Sequence, residues 1–146
     1  MINVSTIMEQ VKNWLIDDNN LPNFTVVRSE FVNEDAGKAA TGWIGVYRRS
    51  VDYEPGQLGR PPNNYDAELI FDLIVQRTSM GSGAEAEDLL EESVKAVLDR
   101  VVQIPEPIKH FSNITVEYTY LETDRKTMYF QGALITFTAE VTAEVK

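Results

Sequence analysis

Residues 65–77 have the sequence Tyr-Asp-Ala-Glu-Leu-Ile-Phe-Asp-Leu-Ile-Val-Gln-Arg, which is the clearest strand pattern in the chain. Apolar and polar residues alternate along it, which is the pattern of a β-strand with one buried face. Ile70 and Ile74 interrupt the polar side and would be left in water unless something covers them. We therefore predict a core strand whose second face is covered by the first helix or by another subunit. The buried face is expected to carry Tyr65, Ala67, Leu69, Phe71, Leu73 and Val75.

A helix is predicted directly after this strand. Residues 80–83 break the strand, and Ser82 with Glu85 three residues later fits a capping box. The helix should run to about Val102, because Leu90, Val94, Val97, Leu98 and Val101 make one apolar stripe. Its other side is acidic and is expected to face solvent. That side includes Glu87, Asp88, Glu91 and Glu92.

The residues before the strand predict one helix and two further strands. Thr6 and Glu9 fit a capping box, and the apolar spacing that follows is helical as far as the polar residues 17–20. Residues 24–32 and 42–49 are β-like and are separated by a turn-rich segment at 33–38. We expect these two strands to form an antiparallel pair.

The residues after the second helix predict two more strands. Residues 114–121 alternate, residues 123–126 suit a turn, and residues 127–143 form the last strand. Gln131 and Gly132 are a plausible bulge at which the inward-facing set shifts.

The predicted order α-β-β-β-α-β-β defines an α+β fold, with a mostly antiparallel sheet of about five strands packed with two helices. A length of 146 residues favours one domain over residues 1–146. One buried cluster is expected between sheet and helix. It should contain Phe71, Leu73, Val75, Leu90, Val94, Leu98, Val116, Ile135 and Phe137.

Composition and charge exclude several classes of function. The chain has no cysteine, so disulfides, thiolate metal sites and a cysteine nucleophile are ruled out. A net charge of -10 repels phosphate backbones, which argues against specific nucleic-acid binding. No apolar run approaches the length of a membrane span, and the N-terminus does not resemble a signal peptide. We expect neither membrane contact nor export.

No pattern in the chain predicts catalysis. His110 is the only histidine, and no Gly-x-Ser-x-Gly elbow supplies a nucleophile for it. Residues 80–83 lack the third glycine and the lysine of phosphate-binding loops, so a capped helix start is the better interpretation. A spaced calcium loop is also missing. We predict a non-enzyme with no catalytic residue, no cofactor and no metal.

A long loop is predicted over residues 50–64, which contain three prolines and two glycines. Tyr53, Leu58, Arg60 and Pro61 place aromatic, aliphatic and basic groups there, on an otherwise acidic protein. Such residues are enriched in protein contacts. The alternative is a simple flexible hairpin tip.

In its pattern the chain resembles the tail terminator, or tail completion, proteins of long-tailed bacteriophages. The resemblance rests on the order of elements over nearly the whole chain. Its main parts are the N-terminal amphipathic helix, the strand at 65–73, the helix from Ala86 to Val102 and the closing strand at 128–138. The family has no catalytic signature.

The resemblance implies a virion protein that is assembled in the host cytoplasm and lies at the head-proximal end of the tail. Such a protein forms a ring, usually a hexamer, that caps the tail tube, ends polymerisation of the tube protein and presents a surface to the head or neck connector. DNA would pass through the ring without specific binding. Six copies at -10 each would carry -60 around that channel, which suits the passage of DNA.

Two other readings stay open. One is another phage neck or minor tail protein of similar architecture. The other, from a different class, is a small stand-alone α+β enzyme or ligand-binding domain. Oligomeric state would separate the second reading from a ring protein.

A ring contact joins two unlike patches of the same chain. Arg48, Arg49 and Arg60 lie at or beside the predicted loop, opposite in charge to the acidic side of the second helix. Tyr53, Leu58 and Pro61 would supply the apolar anchor. Alternatively, the loop grips the tail tube and leaves the ring contact to the sheet edges. Ile70 and Ile74 complete the predicted interface residues.

Overall fold

A computed structural model describes residues 3–17, 25–28, 42–53, 64–79, 81–121 and 129–144. These residues form two helices and five strands in the order α-β-β-β-α-β-β, so the predicted α+β class is confirmed. The elements are α1 (Val4–Ile16), β1 (Thr25–Arg28), β2 (Trp43–Tyr53), β3 (Asn64–Ser79), α2 (Gly83–Val101), β4 (Ile108–Leu121) and β5 (Tyr129–Glu144).

The five strands form one sheet in the order β1-β2-β3-β5-β4. The pairs β2–β3, β3–β5 and β5–β4 are antiparallel, and β3 and β5 are paired along their whole length. β1 pairs with β2 in parallel, with Thr25 opposite Trp43, so the predicted antiparallel hairpin was wrong. A parallel pair needs a crossover of about a dozen residues or more, and residues 29–41 are long enough for one.

Both helices cover the same face of the sheet, and the core lies between them and the strands. Phe71 on β3 and Phe137 on β5 stack at its centre, with ring centroids 5.0 Å apart, because they are direct partners in the register. All nine residues of the predicted cluster belong to this core or pack against it. Leu98 and Val116 are only partly buried.

No helix of the described chain covers the second face of the sheet, which we call the open face. α1 contributes Ile7, Met8 and Val11 to the same core as α2. It therefore does not cover Ile70 and Ile74, so the first of the two expected covers was wrong. Both isoleucines lie on the open face and are half-buried there.

Each helix begins with a side chain that caps its first turn, Asn3 for α1 and Ser82 for α2. The Asn3 side chain accepts hydrogen bonds from the backbone N–H of Thr6 at 2.8 Å and from its hydroxyl at 2.9 Å. The N-cap of α1 is therefore Asn3, and the predicted capping box at Thr6 and Glu9 was wrong. The Ser82 hydroxyl caps α2 as predicted, accepting from the Glu85 N–H at 3.0 Å.

Three predictions, two about strand ends and one about a bulge, differ from the structure. β2 continues to Tyr53 and β3 begins at Asn64, so both ends of the predicted 50–64 loop belong to strands. β4 begins six residues before the predicted Ile114. The register of β5 is continuous through Gln131 and Gly132, so no bulge occurs there. The predicted turn at 123–126 lies outside the described residues.

Candidate interaction surfaces

The basic residues of the predicted interface lie at the β2 end of the sheet. β1 pairs with Trp43–Val46, and within the described residues no strand pairs with the outer edge of β2 at residues 48–52. Arg48 and Arg49 both lie in this segment, at a register shift between Arg48 and Ser50.

The two arginines differ in what they contact. Arg49 donates to the Asp72 carboxylate at 2.9 Å, and Asp72 also accepts from the Thr136 hydroxyl at 2.8 Å. The Arg48 side chain is exposed and makes no ion pair within the described residues. Of the two, Arg48 is therefore the cation available to a partner.

Part of the acidic face of α2 lies beside β4, at the opposite edge of the sheet. Glu87, Asp88, Glu91 and Glu92 are all exposed on α2. Two of them, together with Tyr118, Thr119 and Gln131, line a groove of about 410 Å³ between α2 and the end of the sheet. We call this the α2–β4 groove. Arg48 and the acidic residues Glu87 and Glu91 therefore lie at opposite edges of the sheet in one chain.

Arg77 anchors the acidic helix to the sheet. Its guanidinium donates to the Ser93 hydroxyl at 3.0 Å, and that hydroxyl donates to the Leu89 carbonyl at 2.8 Å. Burial lowers the pKa of Arg77, and the nearby Glu92 carboxylate acts in the opposite direction. This connection fixes the position of α2 relative to β3. It thereby also fixes the position of the acidic side chains.

β4 forms the other edge of the sheet, because its one strand partner in the described chain is β5. Two register shifts disturb its first half, whereas Ile114–Leu121 pairs without interruption. Ile114 and Val116 are half-buried, and Tyr118 is 58% exposed, all on the face that the helices cover. An unprotected strand edge with apolar side chains is typical of a contact site.

Tyr118 is an interface candidate that the sequence analysis missed. Its strand pattern was visible, since Ile114, Val116 and Tyr118 alternate with polar residues. Its exposure was not visible, because it depends on α2 packing over β3 and β5 and leaving β4 uncovered.

The open face has an apolar part near the start of β2. Trp43 is only 1% exposed and its ring lies over Gly45, where a Cβ atom would come within 2.6 Å of it. Ile74 is the register partner of both Gly45 and Leu134, so a half-buried apolar strip crosses the middle of the face.

A row of charged residues crosses the other end of the open face. Asp52 is opposite Glu68, Glu68 is opposite Glu140, and Glu140 is opposite His110, so the row spans four strands. All four side chains are exposed. Like charges placed directly opposite each other are destabilising, so this acidic row costs stability. Only the strand register shows it, because the four residues are far apart in sequence.

The cations next to the acidic row are already engaged. Lys109 contacts the Asp66 carboxylate at 3.1 Å, as Arg49 contacts Asp72. Asp52, Glu68 and Glu140 form no salt bridge within the described residues. They line a shallow hollow of about 380 Å³ together with Tyr53, Asp66, Ala67 and Lys109.

The remaining predicted interface residues divide into two groups. Tyr53 ends β2 and is half-buried against the core, beside the free edge. Leu58, Arg60 and Pro61 lie outside the described residues. Tyr53 and Asn64, which flank residues 54–63, lie at the strand ends that are nearest to the acidic row.

Within residues 3–17, 25–28, 42–53, 64–79, 81–121 and 129–144, no three His, Cys, Asp or Glu side chains are grouped so that they could hold a metal ion. His110 is exposed on β4. Within the same ranges, no helix is long and apolar enough to cross a membrane.

No protein-family model matches the sequence, and no curated protein matches it. The resemblance to tail terminator proteins therefore stays a prediction, and any function has to be argued from geometry and charge.

Proposed function

We propose that this protein is a structural virion protein of a long-tailed bacteriophage that forms a ring, hexameric in the family it resembles, and ends growth of the tail tube. One observation carries the proposal: the two edge strands of the sheet carry different charges. One edge has β2 with Arg48, and the other has β4 beside the acidic face of α2.

Two unlike, complementary edges on one chain favour a head-to-tail contact. A contact between identical patches would bring Arg48 to Arg48, or the acids of α2 to the same acids, and would be repulsive. A contact between unlike patches repeats from copy to copy and gives a closed ring when the rotation is right.

The acidic row fits a channel through which DNA moves. If the open face lines the ring, Asp52, Glu68 and Glu140 of every copy project into the channel. Such a surface repels the phosphate backbone and prevents the polymer from binding to the wall. This explains why carboxylates are held opposite one another despite their repulsion.

One rim of the ring is the candidate contact for the tail tube. β2 ends at Tyr53 and β3 begins at Asn64, so the two residues that flank the 54–63 segment lie at the same strand ends. This supports the alternative in which the 54–63 segment contacts the tube and the sheet edges form the ring. The opposite rim would then face the head or neck connector.

Tube capping is the direct test of this function. Tube subunits from the same virus should be allowed to polymerise with and without this protein, and tube lengths measured by electron microscopy. We expect short tubes of limited length that carry a ring at one end. A variant in which Leu58→Ser and Arg60→Glu are combined should still form rings but should fail to shorten the tubes.

Other outcomes would contradict the proposal in distinct ways. Rings that leave tube length unchanged would point to another neck or minor tail protein. A protein that is monomeric at all concentrations would contradict ring assembly, and the stand-alone enzyme or ligand-binding domain would become the better account.

A further inference from the structure

We infer that β1 and the outer side of α1 in one copy dock on β4 and the α2–β4 groove of the next copy. The inference rests on the proposed ring and specifies which surfaces make its contact. The first surface, the α1–β1 flank, consists of Lys12, Ile16 and Thr25–Arg28. The second surface, the β4 strip, consists of Ile114, Val116 and Tyr118.

Strand directions make the contact antiparallel. Within the described residues, β1 and β4 are the two edge strands of the sheet. β1 is parallel to β2, and the pairs β2–β3, β3–β5 and β5–β4 are antiparallel, so β1 and β4 run in opposite directions. A second copy in the same orientation therefore presents its β1 antiparallel to β4. Antiparallel addition of a strand to a sheet edge is a common mode of recognition.

β1 lies level with the regular half of β4. It pairs with residues 43–46 of β2, which are level with residues 116–119 of β4 through the register of β3 and β5. Those four residues lie within 114–121, where β4 pairs with β5 without a register shift. Two copies at the same height therefore place Val26 opposite Tyr118 and Val27 opposite Glu117, with both core faces on the same side.

This contact does not use the edge of β2. Because β1 is the outermost strand on that side, residues 48–52 of β2 stay one strand spacing, about 4.8 Å, farther from β4 of the next copy. No displacement of the copies along the strands is needed.

The contact would also cover the β4 strip. In the described chain, α2 packs over β3 and β5 and α1 packs over β1 and β2, which leaves the strip at the edge of the core. Ile114 and Val116 are half-buried there, and Tyr118 is exposed. When β1 of a second copy lies beside β4, α1 of that copy stands next to the strip on the same face. Burial of such an apolar patch favours association.

Lys12 and Ile16 lie on the side of α1 that faces away from α2. Gln10 and Trp14 form the side toward α2, because their side chains donate to carbonyls at and just after the end of that helix. At about 100° per residue, Lys12 and Ile16 fall on the opposite side of α1. They therefore face the same way as the outer edge of the sheet.

The last turn of α1 lies toward the end of β4 that carries Tyr118. α2 begins after the end of β3, which is level with the end of β4, so α2 runs from the end of β4 toward its start. α1 runs opposite to α2, since Gln10 contacts residues 105 and 106 and Trp14 contacts Arg100. Ile16, which is 51% exposed, is thus on the part of the flank nearest to the groove of the next copy.

Charge also favours contact between these unlike surfaces. α2 contains six acidic and two basic residues, whereas α1 with its cap Asp17 and β1 together contain two of each. Within the described residues neither Lys12 nor Glu87 forms a salt bridge, while Glu91 contacts Lys95 at 3.7 Å. The contact brings the Lys12 ammonium toward the acidic groove. A contact between two α2 helices would instead be repulsive.

Cysteine cross-linking tests the register directly, because the natural chain has no cysteine. In one chain Val27 and Glu117 are four strand spacings apart, about 19 Å, so they cannot form a disulfide with each other. The variant combining Val27→Cys and Glu117→Cys should form a covalent ladder up to ring size on a denaturing gel under mild oxidation. The matched control combines Val27→Cys with Asn113→Cys, which lies on the same face four residues earlier in β4, and should give little ladder.

The single-cysteine variants test the symmetry of the contact. Val27→Cys alone, or Glu117→Cys alone, should give no more than background dimer. Rapid dimerisation of Glu117→Cys alone would show that β4 meets β4 and would overturn the inference. Wild-type rings combined with a double variant that does not cross-link would overturn the inference while leaving the proposed function intact. A wild type that is monomeric at every concentration would contradict the proposed function itself.

Complementation between two assembly-deficient variants gives an independent readout. Ile16→Glu damages the α1–β1 flank and Tyr118→Glu damages the β4 strip. Both side chains are exposed, so each variant alone should be a folded monomer by light scattering and circular dichroism. Their mixture retains one intact contact and should form a dimer of about twice the protomer mass.

Val102 provides the matched control, because it is also an exposed apolar residue but lies at the end of α2 away from the groove. Val102→Glu should still form rings, and so should the conservative variants Ile16→Leu and Tyr118→Phe. Rings formed by Ile16→Glu or by Tyr118→Glu alone would contradict the inference, and so would a mixture of the two that stays monomeric.

Discussion

At the scale of single residues, the centre of the core is a cluster of aromatic rings. Phe137 is fully buried, stacks on Phe71 at 5.0 Å and meets the edge of Phe111 at 5.7 Å. Its ring therefore connects β3, β5 and β4 and contributes more than its area alone.

Truncating this ring should be costly. We expect Phe137→Ala to lower the free energy of unfolding by about 3 to 5 kcal/mol, because it leaves a cavity between helix and sheet. Urea denaturation at one fixed protein concentration measures the change. The exposed helix variant Asp99→Ala is the control and should differ from wild type by about 0.5 kcal/mol or less. An unchanged curve for Phe137→Ala would mean that the core has been placed on the wrong face.

Gly45 is required by a side chain on its own strand. A Cβ atom there would lie 2.6 Å from both the Trp43 and the Tyr47 rings. We expect Gly45→Ala to destabilise the protein by about 1 to 3 kcal/mol, since the rings have to move. Tryptophan fluorescence should shift to the red as Trp43 becomes exposed. Equal stability and unchanged emission would contradict the close packing of Trp43 on Gly45.

At the scale of elements, the sequence pattern predicted which helices and strands exist better than it predicted where they end and in which direction the strands pair. The alternation in β3 and the apolar stripe of α2 each follow from one buried face, and both elements were found as predicted. The parallel pairing of β1 was missed because pairing direction depends on where residues 29–41 lead the chain, and local composition does not encode this. The start of α1 was missed because Asn3 and Thr6 are both capping residues, and only geometry separates them.

The cap of α1 can be tested by two matched substitutions. Asn3→Ala removes the acceptor of the Thr6 N–H and should destabilise the protein by about 1 kcal/mol. Thr6→Ala removes a hydroxyl from a helical position and should be close to neutral, because alanine favours the helix. Thermal or urea denaturation compares them. The reverse order of stability would restore Thr6 as the cap.

The sequence analysis did not predict the contact between the two helices. The Trp14 indole donates to the Arg100 carbonyl at 2.6 Å, Arg100 donates back to the Trp14 carbonyl at 2.8 Å, and its guanidinium lies 3.6 Å from the ring centre. Trp14 is half-buried, packs against the core and also joins α1 to the end of α2.

At the scale of the whole molecule, charge distribution carries the functional argument. The net charge of -10 follows from composition, and the sequence analysis predicted two patches of opposite sign from the positions of the arginines and of the acids in the second helix. It could not show that Arg48 and the acids of α2 lie at opposite ends of one sheet. Nor could it show the row of Asp52, Glu68 and Glu140, because both features arise from strand order and register.

The molar mass of the purified protein in solution shows whether copies of this chain close into a ring through two unlike edges. Light scattering after gel filtration, with electron microscopy of the same peak, gives mass and shape together. For a hexamer of 16.5 kDa protomers we predict a single species of about 99 kDa that appears as a ring. A mass of one protomer at every concentration, or of a two-fold dimer, would contradict the account.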